Sequence, residues 1–248
     1  MSTSKAAPPL IHPTAIIEDD VVLGEGCRIG AYAVIKRYTR MGARNRVHEH
    51  AVIGGDPQDF KFDPATVSTT EIGDDNVFRE GVTVHRGSRP GSATRIGSHC
   101  FFMALTHVAH DCAVGNHVVM VNNSGLSGEA TVGDRAFLGG AAGVHQHCRI
   151  GRNAMIGMNS KLVQDALPFC ITDGNPARAS GLNLVGLRRA GFKAAEVAEL
   201  KSAFRLLYQK MPLAAALEKM KASNTGPVRE LAEFIEASKR GFAHPSEK

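Results

Sequence analysis

Tryptophan is absent from the 248 residues, and aromatic side chains make up only 6% of them, three Tyr and eleven Phe. A surface that stacks nucleic-acid bases needs exposed rings among its cations, so this scarcity argues against nucleic acid as a partner. No run of eighteen apolar residues occurs, and no membrane-spanning helix or stable membrane insertion is expected. Residues 1–9 lack the apolar centre of a signal peptide, which points to a cytoplasmic protein. What is present is 43% hydrophobic residues, 21% charged residues and 26 glycines. That balance belongs to a folded chain, with glycine expected at many tight corners.

The charge is unevenly placed. Residues 1–177 carry 16 Lys and Arg against 17 Asp and Glu, whereas residues 178–248 carry 13 against 7. The whole surplus of +5 therefore belongs to the last 71 residues. A basic end on a neutral body favours an acidic partner, such as a carrier protein or a phosphorylated ligand.

A period of six sets the architecture. Stepping from Ile11 meets Ile17, Leu23, Ile29, Ile35, Met41, Val47 and Ile53, and the series resumes at Ile72, Phe78 and Val84. It starts again at Ile96 and runs through Phe102, Val108, Val114, Met120, Leu126, Val132, Leu138, Val144, Ile150 and Ile156 to Leu162. All 23 positions are apolar and 11 are followed by Gly, a density that random placement would not produce. Four residues after each lies a small one, for example Cys27, Ala33, Ala51, Cys100, Cys112, Ala130 and Cys148. One large inward residue, one glycine and one small inward residue per hexad describe a hexapeptide β-helix, left-handed in this class. Three hexads close a triangular coil, and coils stack about 4.8 Å apart. Four of the five cysteines fill the small slot, so packing accounts for them without disulfide or metal.

The period breaks at Gly54 to Glu71 and at His85 to Arg95, which read as ejected loops of the kind that carry function on a rigid scaffold. After Leu162 the pattern fades. Ala194 to Gln209 and Val228 to Arg240 are helical in pattern, with Met211-Pro212 and Gly226-Pro227 as breaks. The expected organisation is a β-helix domain over 1–177 and a basic helical domain over 178–248, its helices covering one open end of the coil.

Histidine is the residue that the aliphatic repeat does not explain. His48, His50, His99 and His117 read as surface or turn residues, but His107-Val-Ala-His110-Asp111 is different. Eighteen residues per coil place Gly128 one coil above His110 and Gln146 two coils above, with Glu129 above Asp111 and His145 and His147 beside Gln146. A neutral His can take a proton from an attacking hydroxyl or amine, and an unobstructed backbone N–H, as at Gly128, can donate to an oxyanion. Asp111 would orient the imidazole, although adjacent strand residues point to opposite faces and the pairing requires a corner. The column suits acyl transfer.

Leu105-Thr-His-Val-Ala-His-Asp-Cys-Ala-Val-Gly-Asn116 and Ile11-His-Pro-Thr-Ala15 resemble the acyl-carrier-protein-dependent UDP-N-acetylglucosamine O-acyltransferase family, which opens lipid A biosynthesis. So do Gln58-Asp-Phe-Lys61, Val84-His-Arg-Gly87, Val144-His-Gln146, Gly174-Asn175 and Asn183-Leu-Val-Gly-Leu-Arg-Arg-Ala-Gly-Phe192. The resemblance runs in order along nearly the whole chain. It implies a homotrimer of left-handed prisms with sites between subunits, and no cofactor beyond the phosphopantetheine of acyl carrier protein. It makes His110 the general base and Gly128 the oxyanion donor, and it places Asp59 and Lys61 at the acyl and pantetheine end. It sets His107, His145 and Gln146 at the nucleotide sugar, counts His85 among the substrate-binding residues, and puts Asn183 and Arg189 near the diphosphate or the carrier.

Several positions depart from the family pattern. The first section is about one coil shorter, His147 replaces an aromatic residue, and Val185 replaces a Glu. Pro176 follows Gly174-Asn175, where the family often has His. Glu129 stands where the family typically has a His, which suggests an acceptor bearing an amine that Glu129 would hold as an ammonium. Met158, at the family's chain-length position, is expected to shorten the acyl cleft. Two rival readings use the same prism. One is a zinc hydratase of the γ-carbonic-anhydrase type, built on His85, His107 and His110 between subunits. It leaves the Gln58 to Lys61 loop and the basic tail unexplained. The other is a non-catalytic binding homologue, against which the retention of His110 and Gly128 speaks.

Overall fold

The computed structural model describes residues 8–207, 209 and 211–244; residues 1–7, read above for a leader, lie outside them. Short strands recur every six residues, most of them two residues long and ending on a member of the apolar series, as in Arg28–Ile29, His107–Val108 and Arg149–Ile150. Among the described residues they form sheets of ten, eight and seven strands. Within the coils pairing is parallel and steps by eighteen residues, Arg28 against Arg46, Val108 against Leu126 and Val132 against Ile150. The chain is a three-sided prism.

From Ile29 to Leu162 every member of the apolar series is buried, while Ile11 at the open N-terminal end is 41% exposed. Each such burial contributes about 1.5–3 kcal/mol. The small slot is equally closed: Cys27, Ala33, Ala51, Cys100, Cys112, Ala130 and Cys148 are buried, and all five cysteines are free thiols. The cysteines pack as small apolar residues.

The glycines do not make the corners. The left-handed corner conformation, three residues after each apolar position, falls mostly on other residues, including Tyr32, Arg44, His99, Asp111, Glu129 and His147. Glycine is needed because successive coils touch. Gly24, Gly42, Gly73, Gly97, Gly115, Gly133 and Gly151 form one column along the corner between the seven- and ten-stranded sheets. There a Cβ on Gly97 would lie 2.6 Å from Asn116 Oδ1 and 2.7 Å from the Gly115 carbonyl oxygen. Beside that column runs a ladder of side-chain acceptors. Ala43 N–H donates to Asp74 (2.7 Å), Asp74 N–H to Ser98 (2.9 Å), Ser98 N–H to Asn116 (2.8 Å) and Asn116 N–H to Asp134 (2.7 Å).

The two interruptions are shorter than expected, because Thr69–Ile72 and Ala93–Ile96 pair residue by residue as parallel strands. The ejected loops are 56–68 and 86–92. At the C-terminal end Cys170–Gly174 and Ala177–Leu182 form an antiparallel hairpin, and the expected boundary after Ala177 falls inside it. Ala177 packs with the prism core, whereas Leu167, Phe169 and Cys170 pack with the helices, so the hairpin belongs to both.

Among the described residues four helices follow: α1 (Leu184–Arg189), α2 (Ala194–Leu206), α3 (Leu213–Lys221) and α4 (Gly226–Glu236). Pro212 and Gly226-Pro227 start helices rather than only interrupting them, since proline lacks only an N–H that the first turn leaves unpaired. The helices grip the end of the prism. Arg149 donates to the Phe234 carbonyl at 3.0 Å, and Arg152 forms a bidentate pair with Glu230 at 2.7 and 3.0 Å.

Gly97→Ala separates coil contact from backbone freedom. An Ala in place of Gly ordinarily stabilises by about 0.4–1 kcal/mol, but overpacking against the next coil costs about 1–3 kcal/mol. Thermal melting is expected to show a lowered Tm for Gly97→Ala. Gly143→Ala, whose Cβ would meet nothing within 4 Å, should leave Tm unchanged or raised.

Candidate active site

The corner between the eight- and seven-stranded sheets collects the His column. His110, Gly128 and Gln146 occupy equivalent positions in three successive coils. They are tied by Glu129 N–H donating to the His110 carbonyl and His147 N–H to the Gly128 carbonyl, both at 3.0 Å. A Cβ on Gly128 would lie 2.6 Å from His110 Cε1 and Nε2, so the imidazole occupies the space that any larger residue would fill. Among the described residues neither the His110 Nε2 nor the Gly128 N–H has a hydrogen-bond partner. A bare ring nitrogen and a bare amide stand together.

Asp111 supplies the corner that the sequence reading required. Its φ of 59° is left-handed, which turns its side chain beside its neighbour's, and Oδ2 lies 2.9 Å from His110 Nδ1. The same oxygen accepts from the Ser88 N–H (3.0 Å) and hydroxyl (2.6 Å), both on the 86–92 loop. Burial pushes this carboxyl up, but hydrogen bonds from Ser88, Ser92 and His110 outweigh it and bring the pKa down to about 2. Asp111 is therefore an anion throughout the neutral range, and it holds a proton on His110 Nδ1 while leaving Nε2 to accept.

Below the column His85 and His107 meet edge to face, ring centroids 4.7 Å apart. His107 Nδ1 is 2.7 Å from the Thr83 hydroxyl. Burial lowers the pKa of both, aided by neighbouring imidazoles, and His85 falls to about 4. His107 and His145 line one groove of about 370 Å³ on the eight-stranded face, with Gly125, Gly143 and Lys161. Gln146 is exposed beside it.

Glu129 is already engaged. Arg89 Nη1 lies 2.9 Å from its Oε1 and His147 Nδ1 3.3 Å from its Oε2, while Arg89 Nη2 is 3.8 Å from Asp111 Oδ1. Neither Arg89, Ser88 nor Thr83 was singled out from sequence. For Ser88 and Arg89 the signal was the loop itself, flagged as an interruption of the repeat, since a seven-residue excursion anchored at this corner had to bring side chains to it, whereas Thr83 lies on the strand before it.

The other expected site residues stand apart. Asp59 and Lys61 are exposed on the 56–68 loop, Asp59 accepting from the Lys61 N–H at 3.0 Å. That loop is pinned by Arg86, whose buried guanidinium donates to Asp56 (3.0 Å) and to the carbonyls of Pro64 and Thr66. Met158 is 70% exposed on the corner between the ten- and eight-stranded sheets, so one chain does not bring it to His110. Asn183 and Arg189 line a cavity of about 380 Å³ with Arg135, Phe137, Asn153 and Met155. The Asn183 amide is committed to structure, its Oδ1 capping α1 at Gly186 N–H and its Nδ2 donating to the Asn153 carbonyl, both at 3.0 Å. Arg189 is exposed.

Within one chain His85, His107 and His110 do not converge as metal ligands. Among the described residues His48, Glu49 and Glu80 do, and Arg79 already occupies Glu80 at 2.9 Å.

Residues 165–243 match the family profile described as Udp N-acetylglucosamine O-acyltransferase; Domain 2, and residues 8–37 match that of the bacterial transferase hexapeptide (six repeats). An acyl-[acyl-carrier-protein]–UDP-N-acetylglucosamine O-acyltransferase of Stenotrophomonas maltophilia is 41% identical, covering 94% of this chain and 97% of its own. The chain belongs to this acyltransferase family. A namesake from Stutzerimonas stutzeri is also 41% identical, over 94% of this chain and 98% of its own. The solved UDP-N-acetylglucosamine acyltransferase of Campylobacter jejuni superposes with a TM-score of 0.84 at 32% identity, covering 95% and 100% of the two chains. LpxA of Acinetobacter baumannii gives 0.80 at 33%, covering 96% and 98%. The fold is accordingly a left-handed parallel β-helix with a short helical C-terminal region. The family does not favour the hydratase or inert-scaffold reading. Nor does it favour an amine acceptor, for which Glu129 would first have to leave Arg89.

His85 gives a pH dependence of stability. Its folded pKa lies below the ordinary imidazole value, so the unfolded chain binds more protons between about 6.5 and about 4. Its share of stability is intact above that window and is lost as pH falls through it. Melting temperatures should decline from pH 6.5 to 4, and His85→Gln should flatten part of the decline.

Proposed function

We propose that this protein transfers a 3-hydroxyacyl chain from acyl carrier protein to the 3-hydroxyl of UDP-N-acetylglucosamine, the first step of lipid A biosynthesis. The reading is carried by one observation: His110 Nε2 lies unpartnered beneath the unpartnered Gly128 N–H, with Nδ1 held by an ionised Asp111. His110 takes the proton of the sugar hydroxyl as its oxygen adds to the thioester carbonyl. The Gly128 N–H receives the resulting oxyanion. Collapse breaks the carbon–sulfur bond, and the departing thiolate takes the proton from His110. Asp111 keeps the ring in the tautomer that starts the cycle and balances the imidazolium that forms midway.

His107 and His145 border the groove that would hold the nucleotide sugar. The neutral His85–His107 pair makes that border a set of hydrogen-bonding groups without added charge. Met158, Asn183 and Arg189 lie elsewhere on the chain and would join the site from neighbouring chains of a homotrimer, whereas the loop carrying Asp59 and Lys61 leaves the same corner as His110, between the eight- and seven-stranded sheets. The ten-stranded face supports such packing, because Val77, Phe101, Val119, Phe137 and Met155 form an apolar outer row where Arg28 and Arg46 precede them. We assign the basic C-terminal region to binding acidic acyl carrier protein, whose charge it complements, and take the reaction to be cytoplasmic. No helix among the described residues is long and apolar enough to cross a membrane.

With acyl carrier protein thioester and UDP-N-acetylglucosamine, His110→Ala should lower kcat by about 10²–10⁴-fold. Gly128→Ala, which collides with the ring, should lose activity while keeping the fold. Turnover retained by His110→Ala removes the reading. Met158→Gly, by lengthening the cleft, should raise kcat/KM for longer acyl chains relative to shorter ones.

A further inference from the structure

A carboxylate immediately after an oxyanion donor is an electrostatic problem. Glu129 follows Gly128 directly, and it occupies the same left-handed corner position as Asp111, one coil above it. Two anions about one coil spacing apart repel each other. Both also raise the energy of a third negative charge developing on the substrate oxygen that the Gly128 N–H receives. Arg89 lies between them. Its guanidinium reaches Glu129 Oε1 at 2.9 Å and faces Asp111 Oδ1 at 3.8 Å, a buried oxygen that has no hydrogen bond.

The loop that presents Arg89 is built for the purpose. Arg89 N–H donates to the Ser92 hydroxyl at 3.0 Å, and Ser92 N–H returns to the Arg89 carbonyl at 2.9 Å. Ser88 fastens the preceding residue to Asp111 through two hydrogen bonds. The side chain, although 59% exposed, is therefore delivered from a closed turn.

We propose that Arg89 is a positioning residue, which makes a carboxylate at 129 compatible with oxyanion formation at Gly128 by neutralising Glu129 and balancing Asp111. This rests on the acyl-transfer reading above. The cation matters chiefly because the anion at 129 is there: most of its catalytic value depends on Glu129, with a smaller part left for Asp111.

The test is a double-mutant cycle on the full chain, assayed with acyl carrier protein thioester and UDP-N-acetylglucosamine, with melting temperatures recorded. Arg89→Gln should lower kcat by about tenfold or more through lost transition-state stabilisation, with smaller effects on KM. Glu129→Gln should relieve that loss, so that adding Arg89→Gln to Glu129→Gln costs at most about threefold. Arg89→Lys should recover part of the activity. Losses that multiply in the double variant, or an Arg89→Gln kcat equal to that of the unsubstituted protein, would overturn the proposal. A Tm drop that accounts for the lost activity would do the same. His110→Ala serves as the control. If it is inactive while the cycle is additive, only the role of Arg89 fails; if it remains active, acyl transfer at this corner fails first.

Discussion

Each coil must take up the same length of chain. The inward column is continuous, so a coil of any length but eighteen residues would leave an aliphatic side chain without the one above it and open a void the size of a Val or Leu. That constraint turns a one-dimensional spacing into a vertical alignment. Residues eighteen apart stand on top of one another, and a site made from three coils is aligned as accurately as the core beneath it. His110, Gly128 and Gln146 inherit their placement from Val108, Leu126 and Val144. The insertions obey the same rule by leaving and re-entering at one corner. They can therefore add Arg86, Ser88 and Arg89 with no more than a local register shift between Val84 and His85.

The corners explain why the chemistry is located where it is. A residue in the left-handed conformation directs its side chain differently from its extended neighbour, so two consecutive residues face the same space. For an L-residue this conformation is disfavoured, and here coil stacking enforces it repeatedly. The consequence is the His110–Asp111 pair, which a straight strand cannot form. It also places Asp111, Glu129 and His147 in a column of ionisable side chains parallel to that of His110, Gly128 and Gln146. The field at the site is therefore decided by how these columns are neutralised, and the loop carrying Ser88 and Arg89 does most of that.

The C-terminal region follows a different logic. Its helices do not extend the repeat. They cover its end, tied by Arg149 and Arg152 and by a hairpin whose residues divide between the two cores. Among the described residues no such cover lies at the N-terminal end, where Leu10, Ile16 and Val22 are more than half exposed.

Much of this was legible beforehand, because a repeat writes its three-dimensional period directly into the residues. The apolar series, the small slot filled by Cys27, Cys100, Cys112 and Cys148, and the stacking of Gly128 over His110 all follow from counting by six and eighteen. Counting by itself could not reveal what depends on contacts between distant stretches. Glycine was read as a corner residue because its backbone freedom is visible in sequence, whereas the close approach of the next coil is not. The engagement of Glu129 by Arg89, forty residues away, was equally hidden, because a loop's path depends on anchors such as Arg86 rather than on periodicity. Sequence alone determined the prism and the position of its His110–Gly128–Gln146 column, since both are set by local repetition. Only the tertiary structure decided the charge balance around that column, since it is set by side chains that meet across breaks in the repeat.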